Sequence, residues 1–198
     1  MKIRTAEIKR KTAETDIRIK LVIDGTGKSS IDTQIPFLDH MLVLLAKHGL
    51  FDLQVKARGD LEVDIHHTNE DLGITLGQAL SKALGDKKGI RRYGSFAVPM
   101  DEALIRATLD ISGRPSFFIK KEKGVRFSRQ PKYTFDDAAD FLRSFCQHAG
   151  INMHLGILAG EDTHHIIEGI FKALAKSLDM ATSLDPRVRG IPSTKGTL

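Results

Sequence analysis

The sequence predicts an α+β protein built from two similar halves, each a four-stranded sheet with two helices on one face. Three observations predict this class. Apolar residues alternate along several short segments, as in half-buried strands. Other segments place apolar residues at helical spacing. The motif His-His-x-x-Glu occurs at residues 66–70 and again at 164–168. We therefore interpret the chain as an internal duplication, with halves at 1–90 and 91–198.

The first half is predicted to follow the order β-β-α-β-β-α. Alternation on both sides of a glycine-containing turn indicates a β-hairpin over 17–35. Helical spacing from Phe37 to a stop at Gly49 predicts the first helix. Short alternating segments at 53–57 and 61–65 indicate two further strands. A second helix follows the first histidine motif and ends near Gly85.

The second half is predicted to repeat this order. Apolar residues alternate over 103–111, and the alternation continues at 117–119 after a Gly- and Pro-containing turn. Helical spacing over 135–148 predicts a third helix. A strand at 151–155 follows, and the second histidine motif opens the last helix.

Bulk properties restrict the environment and the partners. The chain has 198 residues, a net charge of +5 and a pI of about 9.3. This mild basic excess permits either nucleic acid or a phosphorylated small molecule. The basic residues are dispersed and tryptophan is absent, so we expect no nucleic-acid partner. One cysteine, no signal-peptide pattern and no membrane-length apolar run predict a cytoplasmic protein without membrane contact.

The repeated motif has the composition of a metal site. Residues i and i+4 share a helix face, so the first histidine and the glutamate of each motif can meet. The second histidine points about 100° away and can serve another ion. Mixed imidazole and carboxylate ligands suit Mn, Fe, Ni or Zn. With two further candidates, the predicted ligands are His40, His66, His67, Glu70, His154, His164, His165 and Glu168.

Other interpretations of these histidines stay open at this point. A His-His pair is often a polar surface or a helix cap, and His40 alone would fit a satisfied core position. His48 and His148 each end a predicted helix, where positive charge is favourable, and we interpret them as structural.

A set of basic residues is a candidate anion site. Arg114 lies in a Gly-Pro turn, and Lys172 lies one helical turn after Glu168. The segment 191–196 reads IPSTKG and offers backbone amides, hydroxyl groups and an ammonium to an oxyanion. The alternative is a flexible, solvated tail.

The motifs together resemble the imidazoleglycerol-phosphate dehydratase family over nearly the whole chain. The segments that carry the resemblance are FLDHM (37–41), HHTNED (66–71), DEAL (101–104), DISGRP (110–115), INMHL (151–155), HHIIEG (164–169) and IPSTKG (191–196). The resemblance implies that D-erythro-1-(imidazol-4-yl)glycerol 3-phosphate loses water to give 3-(imidazol-4-yl)-2-oxopropyl phosphate. It implies two Mn(II) ions per active site and a homo-oligomer of twenty-four subunits with sites at subunit contacts.

The resemblance also assigns roles to residues. Two metal ions would stabilise the substrate's imidazolate, and the electron-rich ring would then expel the hydroxyl group. The expected catalytic residues are Glu14, His40, Glu70 and Glu168. The expected substrate-binding residues are Glu14, Arg92, Arg114, Lys172, Ser193, Thr194 and Lys195.

Two other classes of function remain as alternatives. A dinuclear metal-dependent hydrolase of phosphate esters would use the same ligands with a metal-bound hydroxide. A metal-sequestering or RNA-binding protein would leave Glu14 and the IPSTKG segment without a role.

Overall fold

The structure, a computed structural model, describes residues 3–128 and 132–198. Both halves order their elements as β-β-β-α-β-α. The first half contains β1 (Thr5–Lys11), β2 (Thr15–Val22), β3 (Ser29–Asp32), α1 (Pro36–Gly49), β4 (Asp52–Gly59) and α2 (His66–Leu84). The second contains β5 (Tyr93–Met100), β6 (Ala103–Asp110), β7 (Ser116–Lys121), α3 (Phe135–Ala149), β8 (Asn152–Ala159) and α4 (Thr163–Thr182).

The two halves have the same sheet topology. One sheet has the strand order β1-β2-β4-β3 and the other has β5-β6-β8-β7. In each sheet the edge strand β3 or β7 is parallel to its neighbour, and the other pairs are antiparallel. Two four-stranded sheets with two helices each confirm the predicted α+β class and the internal duplication.

The predicted order of strands within a half was wrong. Residues 61–65 form a turn rather than a strand, and Val63 is 66% exposed. The predicted hairpin at 17–35 does not form either, because β4 lies between β2 and β3. The first strand of each half was missed. β1 is an edge strand of mostly charged residues, and β5 contains Gly94, Ser95 and Pro99, which are typical of loops.

The four helices lie between the two sheets and join the halves. α2 packs against its own sheet and against α3 of the other half, while α4 packs against β5, β6 and α1. The buried apolar residues of both halves form one continuous core. Two glycines allow α2 and α3 to approach closely: a Cβ on Gly73 would lie 2.5 Å from the Phe141 carbonyl oxygen, and one on Gly77 would lie 2.6 Å from that of Phe145.

None of the helices in the described ranges combines the length and apolarity needed to cross a bilayer. The outward face of the first sheet is charged, with Arg18, Lys20 and Lys56 exposed. The outward face of the second sheet is more apolar and includes Leu104 and Phe118.

Candidate metal and substrate site

The second histidine motif forms a compact donor group with a histidine from another helix. Because α1 packs against α4, His40 Nε2 lies 3.7 Å from Glu168 Oε2. His164 Nε2 lies 3.4 Å from the same oxygen, one helical turn along α4. One ligand atom from each of these three residues lies within 4.8 Å of the others. The predicted i, i+4 pairing in α4 is therefore confirmed, and His40 joins it.

Glu168 is the buried member of this group. It is 8% exposed, and its second oxygen, Oε1, accepts a hydrogen bond from Lys172 Nζ at 2.6 Å. Burial alone would raise the pKa of this carboxyl. The hydrogen bond and charge of Lys172, with smaller contributions from His40 and His164, outweigh burial and lower the pKa below its ordinary value. The carboxylate is thus kept ionised and able to bind a cation.

The first motif offers a second group at the start of α2. His66 Nε2 and Glu70 Oε2 lie 4.0 Å apart on the same helix face. His67 faces elsewhere: its Nδ1 lies 2.9 Å from Asp60 Oδ2 and 3.8 Å from Glu14 Oε2. Glu14, Asp60 and His67 also form a set whose ligand atoms lie within 4.8 Å of one another.

The second histidine of each motif is held by a carboxylate at Nδ1. His165 Nδ1 lies 2.7 Å from Glu102 Oε2, just as His67 Nδ1 lies close to Asp60. The hydrogen bond to the carboxylate is the main cause that raises the pKa of each histidine. The pKa of Glu102 is lowered to about 2, chiefly because the backbone N–H of Asp162 donates to it, and then because His165 does.

The local backbone places both motifs in the first turn of a helix. Asp162 caps α4, and its Oδ1 accepts from the backbone N–H groups of His164 and His165. Asp64 Oδ1 accepts in the same way from the His66 N–H at 2.7 Å. These caps satisfy N–H groups that have no partner within the helix. They also hold the backbone from which the histidine side chains project.

Glu14 is anchored beside the first motif by a polar network. Thr15 Oγ1 donates to Asp71 Oδ2 at 2.5 Å, and Arg10 Nε donates to Asp71 Oδ1 at 2.9 Å. Thr12 Oγ1 accepts from the backbone N–H of Glu14 at 3.1 Å. Since Asp71 directly follows Glu70 in α2, the β1–β2 turn that carries Glu14 is tied to the helix that carries the motif.

The chemistry of the donor sets fits a divalent transition metal. Imidazole nitrogens and carboxylate oxygens converge in each set, and this mixture suits Mn, Fe, Ni or Zn better than purely oxygen-binding ions. Asp60 Oδ1 is buried without a hydrogen-bond partner among the described residues. The three-donor sets leave positions open for water or a substrate atom.

The structure places His154 outside both groups. It alternates with buried Met153 and Leu155 on β8, so its side chain lies on the outward face of the second sheet. Its ring stacks on Phe118 with centroids 4.8 Å apart. His48 and His148 lie near the ends of α1 and α3, as predicted, and His148 Nδ1 lies 2.9 Å from the Ser144 carbonyl oxygen.

The basic candidates fall into two places. Arg92 pairs with Asp110 at 2.7 Å and donates to the Pro192 carbonyl oxygen at 2.9 Å. The chain end lies against the turn that carries Arg114, since a Cβ on Gly113 would lie 2.7 Å from the Leu198 carbonyl carbon. Ser193, Thr194 and Lys195 lie in this terminal segment, where Ser193 Oγ accepts the Lys195 N–H at 3.2 Å. Lys172, in contrast, lies with Glu168.

These two places are far apart within one chain. The backbone N–H of Arg92 donates to the carbonyl oxygen of Ala181, near the C-terminal end of α4. The rise of a helix puts Ala181 about 25 Å from His164, at the other end of α4. The donor group of His164 and the basic group around Arg92 therefore lie at opposite ends of one helix.

An apolar pocket adjoins the donor group of the second motif. It has a volume of about 640 Å³ and lies beside the N-terminal ends of α1 and α2. Its wall includes Phe37, His40, Ile65 and Tyr133. Tyr133 is buried and donates from its hydroxyl to Asn69 Oδ1 at 2.9 Å. The pocket thus gives solvent and small molecules an approach to His40.

Three acidic residues of the site were not predicted from the sequence. Asp60 was interpreted only as part of a turn, and Asp101 and Glu102 only as part of the DEAL segment. Asp101 Oδ2 lies 3.5 Å from His165 Nε2. The DEAL segment itself was the available signal, because it puts two acidic side chains at the tip of a strand turn.

Comparisons with known proteins match this chain to proteins of one family. A family model described as imidazoleglycerol-phosphate dehydratase matches residues 33–178. Relatives of that name include a Caldanaerobacter subterraneus subsp. tengcongensis protein, 56% identical over 196 residues, with 99% of this chain and 100% of the relative covered. A Paraburkholderia xenovorans relative is 54% identical over 199 residues, with 99% and 100% covered.

Solved structures of the same name share the fold. Imidazoleglycerol-phosphate dehydratase from Staphylococcus aureus superposes with a TM-score of 0.79 at 33% identity, covering 91% of this chain and 99% of that one. The structure from Pyrococcus furiosus superposes with a TM-score of 0.80 at 34% identity, covering 96% and 100%.

Proposed function

The chain belongs to the imidazoleglycerol-phosphate dehydratase family, the hydro-lyases of histidine biosynthesis, and on this premise we propose its reaction and its metal. The substrate is D-erythro-1-(imidazol-4-yl)glycerol 3-phosphate. The products are water and 3-(imidazol-4-yl)-2-oxopropyl phosphate. The observation that carries the proposal is the convergence of His40, His164 and Glu168 on one point. The first motif repeats the pairing of its first histidine with its glutamate, since His66 Nε2 lies 4.0 Å from Glu70 Oε2.

The proposed cofactor is Mn(II), with two ions per active site. The two motifs supply the ligands: His66, His67 and Glu70 from α2, and His164, His165 and Glu168 from α4, together with His40 and His154. Bound Mn(II) supplies a Lewis acid that stabilises negative charge on the imidazole ring of the substrate. His154 would reach such a site only from the outward face of the second sheet, and hence from a neighbouring chain.

Glu14 is the proposed acid–base residue. Its carboxylate lies 3.8 Å from His67 Nδ1, so a substrate held at the first motif would bring its carbon chain near Glu14. The carboxylate oxygen would take the C–H proton beside the carbon that loses its hydroxyl group. The resulting enol then becomes the ketone. Thr12 Oγ1 accepts the backbone N–H of Glu14, and Thr15 Oγ1 donates to Asp71 in α2, so the turn that carries Glu14 is held in position for this transfer.

The positions of the basic residues support an active site shared between chains. The substrate is an imidazole ring on a three-carbon phosphate, which is too short to reach from His164 to Arg92 within one chain. We propose that Arg92, Arg114, Ser193, Thr194 and Lys195 bind the phosphate of a substrate whose ring is held by another subunit. Lys172 would join them from the metal side. A homo-oligomer of twenty-four subunits is the proposed assembly.

The proposed compartment is the cytoplasm. The single cysteine of the sequence, Cys146, is buried and free. Burial raises the pKa of its thiol to about 12, so the reactive thiolate is scarce at neutral pH. Such a protein needs no oxidising compartment.

Product analysis with measured metal content tests the proposed function. Purified protein should contain manganese or gain activity from it, and it should release the imidazole ketone phosphate without inorganic phosphate. Release of inorganic phosphate instead would favour the hydrolase alternative, which the comparisons do not support. A protein that binds Mn(II) but converts no substrate would leave only the metal-sequestering alternative.

A further inference from the structure

The two halves carry a glutamate at the same position of the same hairpin. Arg10 pairs with Ile17 between β1 and β2, and Val98 pairs with Ile105 between β5 and β6. Counting forward from these pairs puts Glu14 and Glu102 at equivalent places in the two turns. Both turns lie beside the second histidine of the motif in their own half. The duplication therefore presents one glutamate to His67 and one to His165.

The two glutamates have different surroundings. Glu102 Oε1 accepts from the backbone N–H groups of Glu161 and Asp162 at 3.1 and 2.8 Å, while Oε2 faces His165 Nδ1 at 2.7 Å. Both of its oxygens are therefore committed to the protein. Glu14 lies 3.8 Å from His67 Nδ1, beyond hydrogen-bond distance, and its side chain is 54% exposed.

Asp60 accounts for this difference. It directly follows Gly59, the last residue of β4, and its Oδ2 lies 2.9 Å from His67 Nδ1. The corresponding loop of the second half, after β8, is shorter and has Gly160 and Glu161 near that place. In the described part of the second half, no acidic side chain of this loop lies within 4.0 Å of the His165 imidazole nitrogens, and Glu102 makes the contact to Nδ1 instead. Asp60 and Glu102 thus make the same contact to Nδ1 of the second histidine, Asp60 from the loop after β4 and Glu102 from the turn between β5 and β6.

We propose that Asp60 and Glu102 are positioning residues that present His67 and His165 to metal, and that Asp60 thereby leaves Glu14 free to act on substrate. A carboxylate that accepts from Nδ1–H fixes the imidazole tautomer and leaves the lone pair on Nε2 for an ion. It also raises the basicity of that nitrogen. The inference rests on the proposed metal-binding function and assigns roles to residues that the proposed function leaves unused.

The Glu102→Gln substitution gives the sharpest test of this role. The glutamine oxygen would stay with the two backbone N–H donors, so its amide NH₂ would face His165. An NH₂ group can only donate, and His165 would then have to accept at Nδ1 and carry its proton on Nε2. That tautomer cannot bind metal through Nε2. The substitution keeps the size and shape of the side chain, so the effect is separated from loss of packing.

The experiment combines histidine tautomers with Mn(II) affinity in the full-length chain. Metal-free protein labelled with ¹⁵N-histidine is recorded at a pH above the titration of both imidazoles, and resonances are assigned with His67→Asn and His165→Asn. Mn(II) binding is titrated by the electron paramagnetic resonance of the free ion. The variants are Glu102→Gln, Asp60→Ala and, as the repeat-matched control, Glu14→Gln.

We expect both histidines of the wild type to carry the proton on Nδ1. Glu102→Gln should move the His165 proton to Nε2 and weaken Mn(II) binding by about 10- to 100-fold, as loss of such partners does elsewhere. Asp60→Ala should weaken binding by a similar factor and change the tautomer of His67 alone. Glu14→Gln should change neither property.

Three results would overturn the inference. The first is a wild type with the Nε2–H tautomer at His165, which needs no variant to fold. The second is wild-type affinity in Glu102→Gln. The third is loss of Mn(II) in Glu14→Gln, which would make Glu14, Asp60 and His67 direct ligands of one ion. A wild type that binds no Mn(II) would contradict the proposed function, whereas the tautomers would still report on Asp60 and Glu102.

Discussion

Lys172 Nζ lies 2.6 Å from Glu168 Oε1, on the side of the carboxylate away from His40 and His164. In metal-free protein, this ammonium supplies positive charge to a buried carboxylate. A bound ion would supply charge to the same group. Lys172 and a bound ion would therefore both stabilise the ionised form of Glu168.

We expect Lys172→Met to destabilise the metal-free protein more than the metal-bound protein. Without the ammonium, burial raises the pKa of Glu168 and the unpaired carboxylate lowers the free energy of unfolding. Added Mn(II) restores the missing charge. Thermal unfolding with and without Mn(II) should thus show a larger increase of Tm in the variant than in the wild type. An equal or smaller increase would mean that Lys172 does not compensate Glu168.

Removing a predicted ligand should remove metal. His66→Ala, Glu70→Ala, His164→Ala and Glu168→Ala should each reduce the manganese content of purified protein and abolish most of the activity, because an ion loses one of few protein donors. His48→Ala and His148→Ala are the matched controls. They remove histidines near helix ends, outside the donor groups, and should keep wild-type metal content. Near-normal manganese in His164→Ala would contradict the assignment of that residue.

Metal removal should change the size of the particle. If ions bind where chains meet, metal binding and association are linked. Chelation should produce a smaller oligomer, and Mn(II) should restore the large one. Light scattering before and after chelation measures this directly. An unchanged mass after verified metal removal would show that the contacts between chains do not need the ion.

Lys195 should affect substrate binding and leave the metal in place. A charge-assisted hydrogen bond to phosphate contributes roughly 1.5–3 kcal/mol, so Lys195→Met should raise KM about ten- to a hundredfold. Truncation after Ile191 should have a larger effect, since it also removes Ser193 and the Pro192 carbonyl oxygen that Arg92 contacts. Steady-state kinetics and metal analysis test both variants. Wild-type kcat/KM in the truncated chain would mean that the segment after Ile191 is a solvated tail that does not bind substrate.

Gly77 should be required for the contact between the halves. The methyl group introduced by Gly77→Ala would lie 2.6 Å from the Phe145 carbonyl oxygen and 2.9 Å from the Ala149 nitrogen. Overpacking of this kind lowers the free energy of unfolding by about 1–3 kcal/mol, despite the better helix propensity of alanine. Gln78→Ala, one residue along α2, is the control and should have little effect. Denaturant unfolding measures the difference.

The helices and the duplication could be predicted from the sequence, and part of the sheet could not. Helical periodicity is strong where one face is buried, so α1 and α3 were identified to within a few residues. β1 and β5 gave no such signal. Only Ala6 is buried in the mostly charged β1, and Pro99 interrupts β5. The false strand at 61–65 arose because Leu61 and Ile65 pack against the core from a turn.

The donor sets were only partly predictable for a related reason. Local spacing in α4 was enough to pair His164 with Glu168. The approach of His40 depends on packing between α1 and α4, which no spacing along the chain specifies. Asp60 and Glu102 reach their histidines through strand turns, which sequence patterns place poorly. The outward direction of His154, in contrast, follows from strand alternation and could have been read from Met153 and Leu155.

The placement of all four helices between the two sheets has an evolutionary consequence. A half-length ancestor would have buried its helices only by pairing with a second copy of itself, and two-fold symmetry would then have imposed identical residues on both helix crossings. Joining the copies in one chain removes that constraint. One crossing now has Gly73 and Gly77 and is close, whereas the corresponding positions of α4 hold Phe171 and Ala175. The fused chain could therefore vary one crossing independently of the other, and the crossing without the two glycines is the one that brings His40 to Glu168.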